Sequence, residues 1–328
     1  MTFWSGRKVL VTGAGGFIGS HLTETLVREG ADVRALVHYN SAGRRGWLDQ
    51  SSLRNDMEIV AGDITDSGSV LSVMKDRDFV FHLAALIAIP YSYVAPASYI
   101  QANITGTLNV LEAARKYSTS RIVQTSTSEV YGTALTVPIS ESHPLQGQSP
   151  YSASKIGADK LAESYYRSFS VPVVTVRPFN TYGPRQSARA VLPTIITQCL
   201  SGSAVRLGSL TPTRDLNYVS DTVRGFLACA STDAAIGRTI NIGSGREISV
   251  GDLARTVAAL VGVDVSIECD EQRFRPSKSE VERLLADNRL AGEVTGWKPE
   301  VTLEEGLKLT IQWFRDHSQE YQSNVYNI

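Results

Sequence analysis

Residues 8–19 read K-V-L-V-T-G-A-G-G-F-I-G, and the folding of that stretch decides the architecture. Lys8 to Thr12 is a short apolar run of strand type, followed by glycines at 13, 16 and 19. His21 to Glu29 then has helical periodicity, with Leu22, Leu26 and Val27 on one side and Gly30 closing it. Strand, glycine turn, helix is the order a dinucleotide needs. Glycines let the backbone approach a pyrophosphate, and a helix N-terminus offers unpaired N–H groups and partial positive charge.

Further strand-like runs lie at Val33–Val37, Ile59–Ala61, Phe79–Ala85, Arg121–Thr125 and Val173–Val176. Helical stretches alternate with them. Ser98 to Tyr117 carries Ile100, Ile104, Leu108, Leu111 and Ala114 at helical spacing; Pro150 opens a helix whose stripe is Ala158, Leu161, Ala162, Tyr165 and Phe169. The pattern predicts an α/β fold, a Rossmann-type doubly wound parallel sheet with ligand sites at its strand C-terminal ends. Leu192–Cys199, Asp221–Cys229, Val250–Val261 and Leu303–His317 read as helices, and Thr239–Ile242 and Val265–Glu268 as strands. We expect residues 1–178 plus 216–247 to form the cofactor domain. Residues 179–215 plus 248–328 would form a smaller mixed α/β substrate-binding domain.

The 328 residues carry 32 basic and 33 acidic side chains, a net charge of -1 that gives no pull toward nucleic acid or membrane. The first apolar run, Val9–Val11, is too short for a signal-peptide core and no later run approaches the roughly 18 residues of a membrane span, so a cytoplasmic protein acting on small molecules is expected. Cys199, Cys229 and Cys269 are far apart and contain no C-x-x-C pair, which predicts buried free thiols and no metal site.

Two later runs carry chemistry. Thr127-Ser128-Glu129 follows the fifth strand, and Tyr151-Ser-Ala-Ser-Lys155 opens a helix. Tyr151 and Lys155 are one turn apart and share a face, where an ammonium favours a phenolate that otherwise forms only near pH about 10. Should Ser126 to Glu129 end a strand at the same pocket, hydroxyls and one carboxylate meet that Tyr over a single substrate.

The T-G-A-G-G-F-I-G turn, Thr127 and Tyr151-x-x-x-Lys155 together resemble the extended short-chain dehydrogenase/reductase family, NAD-dependent epimerase/dehydratase group, over nearly the whole chain. The resemblance implies NAD, with NADP possible, held by Gly13, Gly16, Phe17, Ile18, Gly19, His38, Asp63, Ile64, Leu83, Ala84, Ala85, Thr125, Tyr151 and Lys155. His38 falls where a ribose-binding carboxylate is normally sought. Arg34, Arg44 and Arg45 lie near it, and either a 2′-phosphate contact or a solvated loop accounts for them. His82, among apolar residues, reads as a packing histidine. The resemblance further places Asn180, Arg185, Arg214 and Arg275 on a nucleotide-sugar, the last two on its diphosphate. It implies that Asn103 supports the active-site backbone and that the helices near Leu108 and Tyr151 pair across a homodimer.

By the same resemblance the catalytic set is Thr127, Ser128, Glu129, Tyr151 and Lys155. Tyr151 takes the C4 hydroxyl proton, Thr127 holds that oxygen, Lys155 sustains the phenolate and Glu129 removes the C5 proton. Ser128 stands where deoxythymidine-diphosphate-glucose dehydratases place an Asp, and T-S-E resembles guanosine-diphosphate-mannose dehydratases and uridine-diphosphate-glucuronate decarboxylases equally. Glu129, with S-P-Y-S-A-S-K-I-G-A-D-K and R-P-F-N-T-Y-G-P-R-Q-S-A-R-A, is most similar to lyases of legionaminic-type sugar synthesis: 4,6-dehydratases of UDP- or GDP-N-acetylglucosamine. The alternatives are a UDP-glucuronate decarboxylase, a nucleotide-sugar 4-epimerase and a 5,6-dehydratase leaving an alkene; a cofactor-sensing protein without chemistry ranks last.

Overall fold

The computed structural model describes residues 2–202 and 204–321; positions 1 and 322–328, at the ends of the predicted domains, lie outside the described residues. The first half alternates strand and helix: β1 (Lys8–Thr12), α1 (Phe17–Arg28), β2 (Asp32–His38), β3 (Glu58–Gly62), α2 (Ser67–Met74) and β4 (Phe79–His82). After β4 come α3 (Ile89–Val94), α4 (Pro96–Tyr99), α5 (Gly106–Tyr117), β5 (Arg121–Thr125), α6 (Pro150–Phe169) and β6 (Val173–Pro178). The second half holds β7 (Asn180–Tyr182), α7 (Val191–Ser201), β8 (Val205–Leu207), β9 (Thr213–Tyr218), α8 (Val219–Ser231) and β10 (Thr239–Ile242). It ends with β11 (Glu247–Ser249), α9 (Val250–Val261), β12 (Ile267–Cys269), α10 (Arg289–Thr295) and α11 (Leu303–Asp316).

Seven strands form one parallel sheet in the order β10-β6-β5-β4-β1-β2-β3. The chain winds one way from β1 to β3 and the other way from β4 onward, so a crevice opens outside the C-terminal ends of β1 and β4. Along β1 the side chains alternate between two cores. Val9 and Val11 pack with Leu22, Leu26, Phe81 and Phe226; Leu10 packs with Val80, Leu111, Ile122 and Ala162. A parallel sheet covered on both faces excludes water from both, which is why its strands read as nearly unbroken apolar runs. The remaining strands form a mixed sheet, β11-β9-β7, and a two-stranded pair, β12-β8. Ile195, Ile196, Leu253, Val257, Leu307 and Phe314 make a separate core beside them.

Several expectations are corrected. The run expected as strand to Ala85 leaves the sheet after His82, because the N–H groups of Leu83 and Ala84 turn onto the Thr12 hydroxyl at 3.2 and 3.1 Å. Ser98 to Tyr117 is not one α-helix: a π-type stretch, Ile100–Thr105, separates α4 from α5. Such widened turns occur often at functional sites, and here the turn holds the buried Asn103. Phe169 is 48% exposed and leaves the predicted stripe, and Cys269 is exposed whereas Cys199 and Cys229 are buried. Helix α6 begins where Pro150 predicted, fixed by a capping box between Ser149 and Ser152. That cap sets the rotation of Tyr151 one residue later.

Candidate active site

The glycine turn is built by close backbone approach. Gly13 has φ +70°, and a Cβ there would lie 2.8 Å from the Ala84 nitrogen; a Cβ on Gly19 would lie 2.1 Å from the Gly13 oxygen. No side chain fits at either place. Gly16 precedes α1 with extended backbone and no side-chain cap, leaving the first N–H groups of the helix directed at the crevice. Thr12 joins the two strand ends: its hydroxyl meets Nδ1 of His82 at 2.8 Å besides the N–H groups of Leu83 and Ala84. His82 is buried, touches Thr107 through Nε2 at 3.2 Å, and is held down to about 3 by burial and by the nearby Lys155 charge. It packs and does not titrate near neutrality. A cradle that a Cβ would fill, beside an uncapped helix end, fits a dinucleotide.

The outer part of that region is less committed. His38 is exposed at the end of β2, and Ile64 is buried. Asp63 accepts the Thr65 N–H at 2.8 Å, as a turn-forming Asp does. Arg34 is removed from any cofactor role, because its guanidinium is bound to Glu58 at 2.7 Å and to the Val73 and Lys75 carbonyls at 2.9 and 3.1 Å. Arg44 and Arg45 sit in an exposed loop folded around Asn40, whose side-chain oxygen accepts the Arg44 N–H at 3.0 Å.

The catalytic candidates meet at the end of β5. A 3₁₀ turn, Ser128–Tyr131, starts there, with the Thr127 hydroxyl accepting the Glu129 N–H at 3.2 Å. Tyr151 is buried on α6 beside the Thr127 hydroxyl; burial pushes its phenol well above the usual tyrosine range against the pull of that hydroxyl, and the Glu129 carboxylate and Tyr99 push it further up. Glu129 stands two residues after Thr127 at the same strand end, its N–H on the Thr127 hydroxyl. Ser128 is buried beside them. Lys155 differs from the expectation. Its ammonium binds the Thr125 carbonyl at 2.5 Å rather than standing on the Tyr151 phenol, and burial lowers it to about 8. Helical spacing puts both on one face, but the carbonyl at the end of β5 offers the ammonium a nearer acceptor. Asn103 fastens the opposite wall, bonding both backbone polar atoms of Leu86 and the Ser154 hydroxyl, each at 2.9 Å.

At the far end, Arg214 and Arg275 converge on one carboxylate, Glu280, at 3.2 and 3.6 Å. Arg275 Nη1 and Asn180 Oδ1 are buried with no hydrogen-bond partner, so each has bonding capacity left for a polar ligand. Arg185 is the correction. It turns away from this group onto α1, pairing with Glu24 at 3.0 Å and Ser20 at 3.1 Å, and takes φ +70° to do so. The charge of Glu24, buried on α1, draws it there. Sequence reasoning missed Thr12 and Glu280, and for Glu280 no local pattern could have found it.

A separate cleft of about 480 Å³ lies between α6, β6 and residues 141–145, and no predicted site residue lines it. Among the described residues no cluster of His, Cys, Asp and Glu could hold a metal ion, and no helix is long and apolar enough to cross a membrane.

Residues 10–310 match the family model described as GDP-mannose 4,6 dehydratase. The chain is 34% identical over 320 residues to UDP-glucose 4-epimerase of Mycolicibacterium smegmatis, spanning 95% of this chain and 100% of that protein. It is 33% identical over 321 residues to UDP-glucuronic acid decarboxylase 6 of Arabidopsis thaliana, 95% of this chain and 90% of the other. A double mutant of dTDP-glucose 4,6-dehydratase from Streptomyces venezuelae, solved with NAD bound, superposes with TM-score 0.88 at 28% identity, covering 96% and 99% of the two chains.

Proposed function

Because this chain belongs to the NAD-dependent epimerase/dehydratase family typified by GDP-mannose 4,6-dehydratase, we propose that it is a nucleotide-sugar 4,6-dehydratase acting on a UDP- or GDP-linked N-acetylglucosamine. The Gly13–Gly19 turn and Lys155 would hold NAD, which would supply reversible hydride acceptance at the sugar carbon. Tyr151 takes the C4 hydroxyl proton, with Thr127 fixing that oxygen. Its high resting affinity for a proton means that the ammonium of Lys155 must act on the phenol in the loaded site. A ketone at C4 acidifies the C5–H, and Glu129 removes that proton and hands it to the C6 hydroxyl, which departs as water. Hydride to C6 and a proton to C5 complete a 4-keto-6-deoxy sugar. Arg214 and Arg275 hold the diphosphate, with Asn180 beside them.

The observation that carries this reading is a carboxylate, Glu129, in the turn that opens at Thr127, with the buried Tyr151 of α6 facing that turn. An epimerase needs no second base there. The N-acetylglucosamine assignment has the narrower support of the sequence runs at 149–160 and 177–190. The test is a panel of nucleotide-sugars in heavy water, followed by NMR. Deuterium at C5 with a new C6 methyl group is expected; carbon dioxide released from a glucuronate, or inversion at C4 alone, would replace the proposal with a decarboxylase or an epimerase.

A further inference from the structure

Helix α6 meets the end of β5 in three successive contacts. Tyr151 faces the Thr127 hydroxyl; Lys155, one turn on, donates to the Thr125 carbonyl at 2.5 Å; Asp159, a further turn on, accepts a hydrogen bond from the Ser126 hydroxyl at 2.7 Å. Three residues at helical spacing thus grip three consecutive residues of the strand end. Ser126 is the middle one, so its position sets those of both neighbours. Its own N–H is bonded to the Val176 carbonyl at 2.7 Å.

Asp159 is in turn held by Arg177 from β6, through Nε at 3.1 Å and Nη2 at 2.9 Å. Both are almost fully buried, at 4% exposure each. The guanidinium continues to the Tyr131 hydroxyl at 2.9 Å, and that hydroxyl to Asn241 on the edge strand at 2.7 Å. Desolvating such an ion pair costs about as much as the attraction returns, so stability alone explains it poorly; fixing one arrangement explains it better.

We propose that Asp159 is a positioning residue for the reaction: through Ser126 it fixes together the carbonyl that anchors Lys155 and the hydroxyl that meets Tyr151. The assignment rests on the roles given above to Tyr151 and Lys155. Asp159 itself touches neither the reacting atoms nor the glycine turn.

Two variants of the full-length, NAD-loaded protein test it. Ser126→Ala removes one hydroxyl and leaves the Asp159–Arg177 pair intact; Asp159→Asn removes the charge. Ser126→Ala should lower kcat about tenfold or more, since small misplacement near the reacting groups is costly in rate, with KM changed less than about twofold. Backbone amide exchange over residues 125–129 should quicken in that variant while the rest of the sheet is unaffected. Asp159→Asn should lower kcat at least as far, and the double variant should be no slower than Asp159→Asn alone. A lowered melting temperature with unchanged kcat would make the contact merely structural and overturn the proposal. Amide exchange needs no substrate. If the wild type converts no nucleotide-sugar, the reaction assignment falls, and unchanged exchange at residues 125–129 then rejects the positioning claim independently.

Discussion

The two ends of the crevice are built by opposite means. At the cofactor end nothing but backbone fits: a Cβ on Gly19 would lie 2.1 Å from a main-chain oxygen. At the end where we place the sugar nucleotide, the proposed recognition elements are long side chains, Arg214 and Arg275, both paired with a carboxylate, Glu280, from a segment more than sixty residues from Arg214. One end is rigid because it has no torsions left to adjust. The other is adjustable, since two guanidiniums facing one carboxylate retain capacity for a more highly charged anion.

If that contrast is right, substitutions at the glycine end should be all-or-none and those at the sugar end graded. Gly19→Ala should cost more than about 4 kcal/mol of stability or abolish NAD binding, because the clash is with backbone that cannot move aside; near-normal NAD titration would break the contrast. Between the two ends, Glu129→Gln should slow methyl formation by about a thousandfold while the 4-keto sugar still forms, the range for losing a general base. Product NMR checks it. Unchanged turnover would remove Glu129 from the chemistry. Arg214→Gln should raise KM for the nucleotide-sugar by about 30-fold, roughly 2 kcal/mol, with kcat little altered, as for loss of one partner of a charged contact.

Smaller effects sharpen the same comparison. His82 beside the glycine turn is held down to about 3. The unfolded chain therefore binds its proton first, so stability should be fully present above pH about 6.5 and fall at up to about 1.4 kcal/mol per pH unit as pH drops below that. His82→Asn should flatten this acid slope in denaturant titrations. Least of all, Arg34→Ala should leave the NAD to NADP preference unchanged and cost about 1 kcal/mol or less, because its guanidinium is already committed to Glu58.

Much of the site was legible in the chain. Gly13 and Gly19 announce a turn because no other residue fits such backbone, and Tyr151, four residues from Lys155, announces a shared helix face because α-helical geometry is local. Val250–Val261 was legible for the same reason and was found residue for residue. Phe79–Ala85 was overextended because the Thr12 hydroxyl that bends Leu83 and Ala84 out of the sheet lies seventy residues away in sequence. Arg185 and Arg214 look alike in the sequence, where nothing local tells what each will meet. Only the surroundings separate them, one drawn to Glu24 and the other to Glu280.

Residue order was enough to specify the parallel sheet, the glycine cradle and the presence of hydroxyls, a phenol, an ammonium and a carboxylate near strand ends. These follow from local sterics and periodicity, which act over a few residues. Tertiary structure alone decided which acceptor Lys155 takes, which carboxylate each of Arg185 and Arg214 meets and that Asp159 holds Ser126, because a charged side chain goes to the counter-charge or carbonyl that folding brings within about 3 Å of it.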